Sequence, residues 1–422
     1  MKKGDTMAVF SQRGILAAIA ITSAAVMTLT GCGSTGASGT HSTTSTGSSA
    51  ITVWADADHT ATLKSVAADF TRKTGVDVRL VQKDMGSIEQ DMITQIPAGK
   101  GPDVAIGPND WTGLLATDGV IQPIELGDMR AAYQRVAVDA FNYNGNIYGL
   151  PYSVENVALV RNTRLAPHAP ETWNDMSTAA ASAKTAYPYL LQVGSQGDAY
   201  TMYPVETSFG SFAFAQNSDG SYDAKKLTIG DSHGHDFAEW IRSQAKAGNL
   251  STSMTADIAL SKFEQGQAPY IITGPWNISA IQKAGVRIAV DPIPSAGGQA
   301  ARPFVGVNGF FLSAKTRNRL AATNFLTTYI GSDKVQQALF KAGGIPSALT
   351  SAYNAEAKSD PVIQGFKKAG DKGVPMPNIT QMSSVWQYWN AAEVSIVNNQ
   401  GDPSNLWATM ADSVKSSIAK QS

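Results

Sequence analysis

The chain has 422 residues, a formal net charge of −1 at pH 7 and a hydrophobic content of 43%. Its length exceeds what a single hydrophobic core usually supports, so two domains are expected. The balanced charge lacks the basic excess that is typical of nucleic-acid-binding proteins, and we therefore expect no nucleic-acid partner.

The N-terminal segment has the pattern of a secretion signal. Lys2, Lys3 and Arg13 accompany a stretch of apolar or small residues from Gly14 to Leu29. That stretch is shorter than the roughly 20 apolar residues that a membrane-spanning helix needs. A positively charged start followed by a short apolar stretch is typical of a cleaved signal, so we predict that residues 1–31 are a signal peptide.

Cys32 is the only cysteine in the chain, so it cannot form an internal disulfide. It ends the run Leu29-Thr30-Gly31-Cys32, which resembles a bacterial lipoprotein processing site. In such proteins a diacylglycerol is attached to the cysteine, and two acyl chains hold a protein stably at a membrane. The residues that follow are mostly Ser, Thr and Gly. We predict that residues 32–50 are the lipidated cysteine and a flexible tether, on the extracellular face of the cell membrane.

After the tether, the pattern of apolar residues predicts alternating strands and helices. The predicted elements are a strand at Ile51–Trp54, a helix from Thr60 to Lys73 that Gly75 ends, a strand at Val76–Val81, a helix near Ile88–Ile96 and a strand at Asp103–Ile106. Such alternation favours a parallel α/β sheet.

Further along the chain, turn and strand signals continue. The pair Asn144-Gly145 favours a hairpin turn. Later predicted elements are strands at Val157–Val160 and Tyr270–Thr273, a helix that begins near Trp173, and helical segments at Ala321–Ala342 and Ala391–Lys420 in the last third.

The sequence contains no G-x-S-x-G elbow, no P-loop and no H-E-x-x-H motif. His233 and His235 stand beside Asp236, but their spacing matches no known metal-ligand set. A surface loop or a helix cap explains them better than a metal site. We therefore expect no catalytic residue, no metal and no cofactor.

Aromatic side chains stand beside acids and amides in several turn-like segments. They are Trp111 after Asn109-Asp110, Tyr200 after Asp198-Ala199, Trp276 after Gly274-Pro275, and Trp386, Tyr388 and Trp389 near Gln381, Gln387 and Asn390. A pyranose ring has an apolar face that an aromatic ring can cover and a rim of hydroxyls that acids and amides can bond. Core packing explains any single tryptophan equally well. Several of them beside acids favour a sugar site.

Three of the turn segments follow predicted strands, namely Trp54–His59, Gly107–Trp111 and Thr273–Trp276. Ligands of open α/β sheets bind beyond the carboxyl ends of the strands. We therefore expect these three segments to converge on one crevice.

From Ile51 onwards, several short stretches carry a family pattern. They are Gly101-Pro102-Asp103, Asn144 to Pro151, Thr172-Trp173, Phe263 to Gly266, Thr273 to Trp276, Arg302 to Val307 and Met376 to Ser383. Through them the chain resembles bacterial extracellular solute-binding proteins of ABC importers, in particular their maltose/maltodextrin-binding branch. The resemblance implies an α/β, two-lobed, periplasmic-binding-protein-like fold with a ligand cleft between the lobes. The N-terminal lobe would hold residues 51–153 and 310–355, and the C-terminal lobe residues 157–304 and 361–422.

The same resemblance implies a set of sugar-binding residues. Asp58, Asp110 and Glu155 match family acids that bond sugar hydroxyls, and Tyr200, Trp276 and Trp386 match aromatic residues that stack on successive glucose rings. Other matched positions carry a different residue: His59 stands for a lysine, Asp198 for a glutamate, and Trp111 and Asn390 each for an arginine. Gly107 stands for a tryptophan, and we expect Trp111 to restore the aromatic surface lost there.

The resemblance implies a lipid-anchored monomer that binds maltose or maltooligosaccharides by closure of the cleft. It would deliver them to the permease subunits of an ABC importer and would catalyse no reaction. Three alternatives stay open: a binder of a xylo- or fructo-oligosaccharide or a galactoside, a surface adhesin, and a glycoside hydrolase that uses two of Asp58, Asp110, Glu155 and Asp198.

Overall fold

The computed structural model of the protein describes residues 50–217 and 222–421. The predicted signal peptide and Cys32 lie outside these residues, while Ala50 belongs to the first strand rather than to a tether. Within the described part of the chain, none of the helices has the length and the apolar character needed to cross a membrane.

Short strands are distributed along the whole described chain. They are β1 (Ala50–Ala55), β2 (Asp77–Gln82), β3 (Val104–Pro108), β4 (Ile121–Gln122), β5 (Asn142–Tyr143), β6 (Asn146–Ile147), β7 (Gly149–Glu155), β8 (Ala158–Asn162), β9 (Phe214–Gln216), β10 (Tyr222–Leu227), β11 (Tyr270–Thr273), β12 (Ile288–Asp291), β13 (Phe304–Ser313) and β14 (Val374–Pro375).

Helices connect and cover these strands. They are α1 (Ala57–Thr74), α2 (Met85–Gln95), α3 (Thr112–Thr117), α4 (Arg135–Ala140), α5 (Trp173–Ala183), α6 (Ala199–Thr207), α7 (Ser232–Lys246), α8 (Ala256–Glu264), α9 (Ile278–Lys283), α10 (Arg319–Thr323), α11 (Asp333–Gly343), α12 (Thr350–Ser359), α13 (Pro361–Gly370), α14 (Ser383–Val397) and α15 (Pro403–Gln421). Short 3₁₀ turns occupy Asn109–Trp111, Gly127–Ala132, Pro275–Asn277 and Thr380–Met382, and Asn324–Ile330 is π-helical.

The first predicted elements are confirmed, and α1 shows why. The Asp56 side chain accepts a hydrogen bond from the His59 backbone N–H and so caps the start of the helix. Leu63, Val66 and Phe70 form a buried stripe at helical spacing. Gly75 ends α1 with φ 73°, in the left-handed region that favours glycine.

The predicted hairpin is also confirmed. β5 and β6 pair antiparallel, and Asn144 and Gly145 between them have φ values of 50° and 83°. Two consecutive left-handed residues are what a type I′ turn requires. The turn presents Tyr143, whose hydroxyl lies 3.1 Å from the Thr380 hydroxyl.

The prediction of a parallel sheet is correct for part of the sheet. β2, β1 and β3 are parallel neighbours, but β13 pairs antiparallel with both β3 and β7. Elsewhere, β8 pairs antiparallel with both β11 and β12. β7 and β13 are strands along which the chain passes between two hydrophobic cores. Within the described residues, no local strand–helix–strand unit, which would make neighbouring strands parallel, joins β7 to β13.

The last third is helical, as predicted, but both predicted helical segments are interrupted. The first contains α10, the π-helical stretch and α11, with a break at Gly331-Ser332. The second contains α14 and α15, which are separated near Asn399, a residue with φ 58°. A left-handed residue ends a helix, and Pro403 starts the next one.

The buried apolar residues form separate cores. One core draws its buried residues from 51–154 and 307–352, and two others draw theirs from 157–304 and 362–414. The chain passes between the first core and the others at the end of β7, at the start of β13 and again between residues 352 and 362. We propose that the two lobes follow these cores.

Candidate functional site

A cavity of about 320 Å³ lies where β7 and β13 pass between the cores. It is lined by Pro108, Asp110, Glu155, Tyr200, Trp276, Gly306, Val307, Asn308, Met376 and Trp386. Five of the predicted sugar-binding residues are therefore brought together: Asp110, Glu155, Tyr200, Trp276 and Trp386. Val307 belongs to the first core, while Met376 belongs to the second, so both sides contribute walls.

Three half-buried aromatic rings form the apolar wall of the cavity. The ring centres of Tyr200 and Trp276 are 6.4 Å apart at an angle of 44°. Trp386 stacks on the fully buried Trp389, with ring centres 5.7 Å apart and planes within 9°. Such packing orients the exposed part of each ring before a ligand arrives.

The position of the Trp276 ring depends on Gly274, two residues earlier in the chain. Gly274 follows β11, and Trp276 lies in the 3₁₀ turn that comes next. A Cβ atom on Gly274 would lie 2.1 Å from the Trp276 ring. The ring can therefore fold back over the backbone because residue 274 has no side chain.

Asp110 is a partly satisfied acid in the cavity wall. Trp386 Nε1 donates a hydrogen bond to its Oδ2 at 2.9 Å. Its Oδ1 is buried and has no partner among the described residues. Burial raises the pKa of Asp110 to about 6, although the hydrogen bond from Trp386 opposes that shift. The free oxygen is an acceptor for a ligand hydroxyl.

Glu155 ends β7 and is 6% exposed. Its Oε1 accepts hydrogen bonds from Ser153 Oγ at 2.5 Å and from Asn308 Nδ2 at 2.7 Å. Both bonds go to the same oxygen, which leaves Oε2 as a second acceptor.

Burial, with smaller contributions from nearby acids including Glu155, raises the pKa of the Tyr200 hydroxyl, so Tyr200 is a neutral donor.

Asp198 and Asn390 do not line the cavity but hold the helix that carries Tyr200. The Asp198 side chain caps α6 by accepting from the Thr201 backbone N–H at 2.9 Å. Asn390 Oδ1 accepts from the Ala199 N–H at 2.9 Å. Burial raises the pKa of Asp198, against hydrogen bonds from Gln192 and Thr201 that lower it. Direct sugar contacts by these two residues stay predictions.

With this geometry in view, comparison with known proteins identifies the family. A family model described as bacterial extracellular solute-binding protein matches residues 65–365, more than half of the chain. The chain belongs to the bacterial extracellular solute-binding proteins.

Relatives of this solute-binding protein are similar over most of their length. A galactooligosaccharide-binding protein of Bacillus subtilis is 25% identical over 383 residues, which cover 88% of this chain and 90% of the relative. A maltotriose-binding protein of Pyrococcus abyssi is 27% identical over 318 residues, which cover 74% of this chain and 69% of the relative.

A solved structure of the Thermus thermophilus maltotriose binding protein bound with maltotriose matches with a TM-score of 0.80. It is 30% identical and covers 87% of this chain and 100% of that one. The predicted two-lobed α/β fold is thereby confirmed.

Two predicted site residues of this solute-binding protein lie at the start of α1 and do not line the cavity. Asp58 is exposed and lines a separate depression of about 570 Å³ together with Asp56 and Lys83. His59 is 6% exposed, and its Nδ1 lies 2.7 Å from Asp56 Oδ2. Burial acts to lower the pKa of His59, but the hydrogen bond to Asp56 and the negative charges of Asp56, Glu155 and Asp58 together outweigh it and raise the pKa. Sugar contacts by Asp58 and His59 stay predictions.

Trp111 also lies outside the cavity lining. It is 8% exposed and stacks on Phe311, with ring centres 6.5 Å apart at 18°. A Cβ atom on Gly107 would lie 2.1 Å from its ring. The ring has folded over Gly107 into the first core, so the aromatic surface expected there does not face the cavity in this structure.

The remaining candidate from the sequence is the histidine pair. His233 and His235 lie in the first turn of α7, where the Asp231 side chain accepts from the backbone N–H groups of His233 and Gly234. Of the two explanations offered by the sequence, a surface loop or a helix cap, the structure agrees with the second. Among residues 50–217 and 222–421, no three His, Cys, Asp or Glu side chains are grouped so that they could hold a metal ion.

Five lining residues were not among the predicted sugar-binding residues: Pro108, Gly306, Val307, Asn308 and Met376. Asn308 bonds Glu155, although 153 residues separate the two in the chain. Ser153 and Glu155 are two apart on β7 and so share a face of the strand. The pairing register of β7 with β13 could not be predicted from a single sequence, because it joins residues that are far apart in the chain.

Proposed function

We propose that this solute-binding protein binds an oligosaccharide of α-linked glucose units in the cavity and delivers it to the permease subunits of an ABC importer. One observation carries the proposal: three aromatic rings and two carboxylates line a single cavity. Aromatic faces cover the C–H faces of sugar rings, and carboxylate oxygens accept from sugar hydroxyls.

The volume and the unsatisfied groups support a small polar ligand with apolar faces. A space of about 320 Å³ is within the range of small-molecule pockets. The buried Oδ1 of Asp110 lacks a partner among the described residues and carries a desolvation cost until a donor reaches it. A sugar hydroxyl supplies such a donor.

The named relatives support binding and transport rather than hydrolysis. Their names describe binding proteins for maltotriose, maltooligosaccharides or galactooligosaccharides. Of the four acids that a hydrolase would use, Asp58 and Asp198 lie outside the cavity lining, while Asp110 and Glu155 line it. The support for binding without hydrolysis therefore comes from the relatives. We therefore propose a protein that binds its ligand unchanged.

The positions of the lining residues support a proposal of cleft closure. Val307 is part of one core, and Trp276 packs against the other. A ligand that contacts both sides gains more contacts when the two sides are close together, so it favours the closed state. The closed form is the one we propose to dock on the permease.

Lipid anchoring at Cys32 is part of the proposal. A relative from Streptococcus pneumoniae, 26% identical over 349 residues, is named a maltooligosaccharide ABC transporter solute-binding lipoprotein. Growth of expressing bacteria with a labelled fatty acid tests the anchor. We expect label on the wild-type protein and none on a Cys32→Ser variant, and equal labelling of both would exclude this attachment point.

Calorimetric titration with a panel of sugars tests the binding function. We expect heat of binding with maltotriose and weaker or absent heat with galactooligosaccharides, xylotriose and fructooligosaccharides. Tight binding of another sugar class would replace the α-glucan assignment, and no binding of any panel member would refute an oligosaccharide ligand. Release of glucose or maltose during prolonged incubation would show a hydrolase instead.

A further inference from the structure

The floor of the cavity is a pair of antiparallel strands with an asparagine that the sequence did not single out. In the pairing of β7 with β13, Glu155 stands opposite Gly306 and Ser153 stands opposite Asn308. Residues two apart on a strand share a face, and directly paired residues do too. These four positions therefore form one face of the strand pair.

On that face, Glu155 is held through one oxygen. Ser153 Oγ and Asn308 Nδ2 both donate to Oε1, at 2.5 Å and 2.7 Å. Gly306 opposite has no side chain, and it lines the cavity. Two donors on Oε1 fix the rotation of the carboxylate. A Cβ atom on Gly306 would lie 3.3 Å from the Tyr200 hydroxyl, so the missing side chain lets that hydroxyl approach the strand pair.

The same bond fixes the orientation of the Asn308 amide. A carboxylate oxygen accepts hydrogen bonds, so the nitrogen of the amide must be the atom that faces Glu155. Asn308 Oδ1 then faces away from Glu155, and no described residue donates to it. Asn308 itself is half-buried and lines the cavity. The hydrogen bond between Asn308 Nδ2 and Glu155 Oε1 thus fixes the relative positions of two further acceptors, Glu155 Oε2 and Asn308 Oδ1.

We propose that Asn308 positions Glu155 and also binds the ligand directly, so that the two acceptors select a sugar ring with two neighbouring hydroxyl donors. The inference rests on the proposed oligosaccharide function, since it concerns the same cavity. A ring that lacks one of the hydroxyls leaves a desolvated acceptor unpaired, which a site of this kind rejects strongly. Ser153 is fully buried, so it cannot contact the ligand and only helps to orient Glu155 through its hydrogen bond.

Calorimetric titration of the purified full-length protein, in detergent, measures the effect on affinity. The probes are maltotriose and maltotriose analogues that each lack one hydroxyl. We expect Asn308→Leu, which keeps the size and removes both polar atoms, to weaken maltotriose binding about ten- to a hundredfold. Ser153→Ala should weaken it less. Asn354→Leu, the same change at an exposed position of α12, should leave it unchanged.

Selectivity separates a contact with the ligand from a purely structural effect. Wild-type protein should discriminate strongly against at least one deoxy analogue, and Asn308→Leu should bind that analogue and maltotriose almost equally. Asn308→Ser, a smaller polar change, gives a second variant if the leucine variant does not fold. A uniform loss of affinity for every analogue would show that Asn308 serves the fold alone and would overturn the inference.

The titrations distinguish failure of the inference about Asn308 from failure of the proposed oligosaccharide function. If wild-type protein binds maltotriose and both Asn308 variants bind it within about twofold of wild type, the inference is wrong and the proposed function stands. If wild-type protein binds no sugar of the panel, the proposed function is wrong, and the inference is wrong with it.

Discussion

A tryptophan ring packs over a glycine after two different strands of this protein, but only one of the two rings lines the cavity. β3 is followed by Asn109–Trp111 and β11 by Pro275–Asn277, and in each case a tryptophan ring folds back over a glycine. Trp111 lies in the first core at 8% exposure, whereas Trp276 lies half-buried in the cavity wall. An aromatic residue after a strand is thus a weak guide to a ligand site, because the packing beyond the turn decides which ring stays open.

The spacing between the glycine and the tryptophan also differs between the two turns. After Gly274-Pro275, the tryptophan comes at once, and its ring stays beside Tyr200 at the cavity. After Gly107-Pro108, two residues intervene, and one of them, Asp110, faces the cavity in place of the ring. The first turn therefore supplies a carboxylate to the site and the second an aromatic face.

The largest effect should come from Trp111→Ala, and it should fall on stability. Removing a nearly buried tryptophan from a packed core costs about 3–5 kcal/mol of unfolding free energy. Chemical denaturation of the unliganded protein measures this cost. A loss below about 1 kcal/mol would show that Trp111 is not a core residue and would restore it as a candidate for the binding surface.

Trp276→Ala should instead act on affinity. Lost stacking and lost apolar burial should weaken maltotriose binding by about 1–3 kcal/mol in calorimetry. Trp240→Ala is the matched control, since Trp240 is a half-buried tryptophan packed on Phe237 outside the cavity lining. Equal affinities of wild-type protein and the Trp276 variant would remove this ring from the site.

The smallest expected effect concerns Asp110 and pH. Its pKa is raised from 3.8 to about 6, so the carboxylate accepts from a sugar hydroxyl above pH 6 and is increasingly protonated below it. Affinity should fall up to about tenfold between pH 7 and pH 5. Stability should change in the opposite direction. The contribution of Asp110 to the unliganded protein is complete below its unfolded pKa and is lost as pH rises through about 6.

Asp110→Asn supplies the control for both measurements. The variant cannot titrate at this position, so its affinity and its stability should each show a flatter pH profile than those of wild-type protein. A wild-type affinity that stays constant from pH 7 to pH 5 would mean that the Asp110 carboxylate does not accept from the ligand.

Much of the fold could be predicted because it is encoded locally. The periodic apolar residues of α1, its stop at Gly75 and the Asn144-Gly145 turn are all properties of short segments. The antiparallel direction of β13 was not predictable, because it depends on how distant parts of the chain meet.

The predicted site residues also fall into two groups, those that line the cavity and those that do not. The resemblance located Asp110, Glu155, Tyr200, Trp276 and Trp386, and the structure places them around one cavity. It also indicated Asp198 and Asn390, which support the first turn of α6 without lining the cavity. A matched position shows that a residue is near the site, but hydrogen-bond partners decide whether it faces the ligand or the scaffold.

A crystal structure of the protein grown with maltotriose tests the placement of the ligand most directly. We expect sugar rings in the cavity against Trp276 and Trp386, with hydroxyls within hydrogen-bonding distance of Asp110 Oδ1 and Glu155 Oε2. Maltotriose bound in the depression beside Asp58, or Trp276 and Trp386 turned away from a shared opening, would contradict this placement.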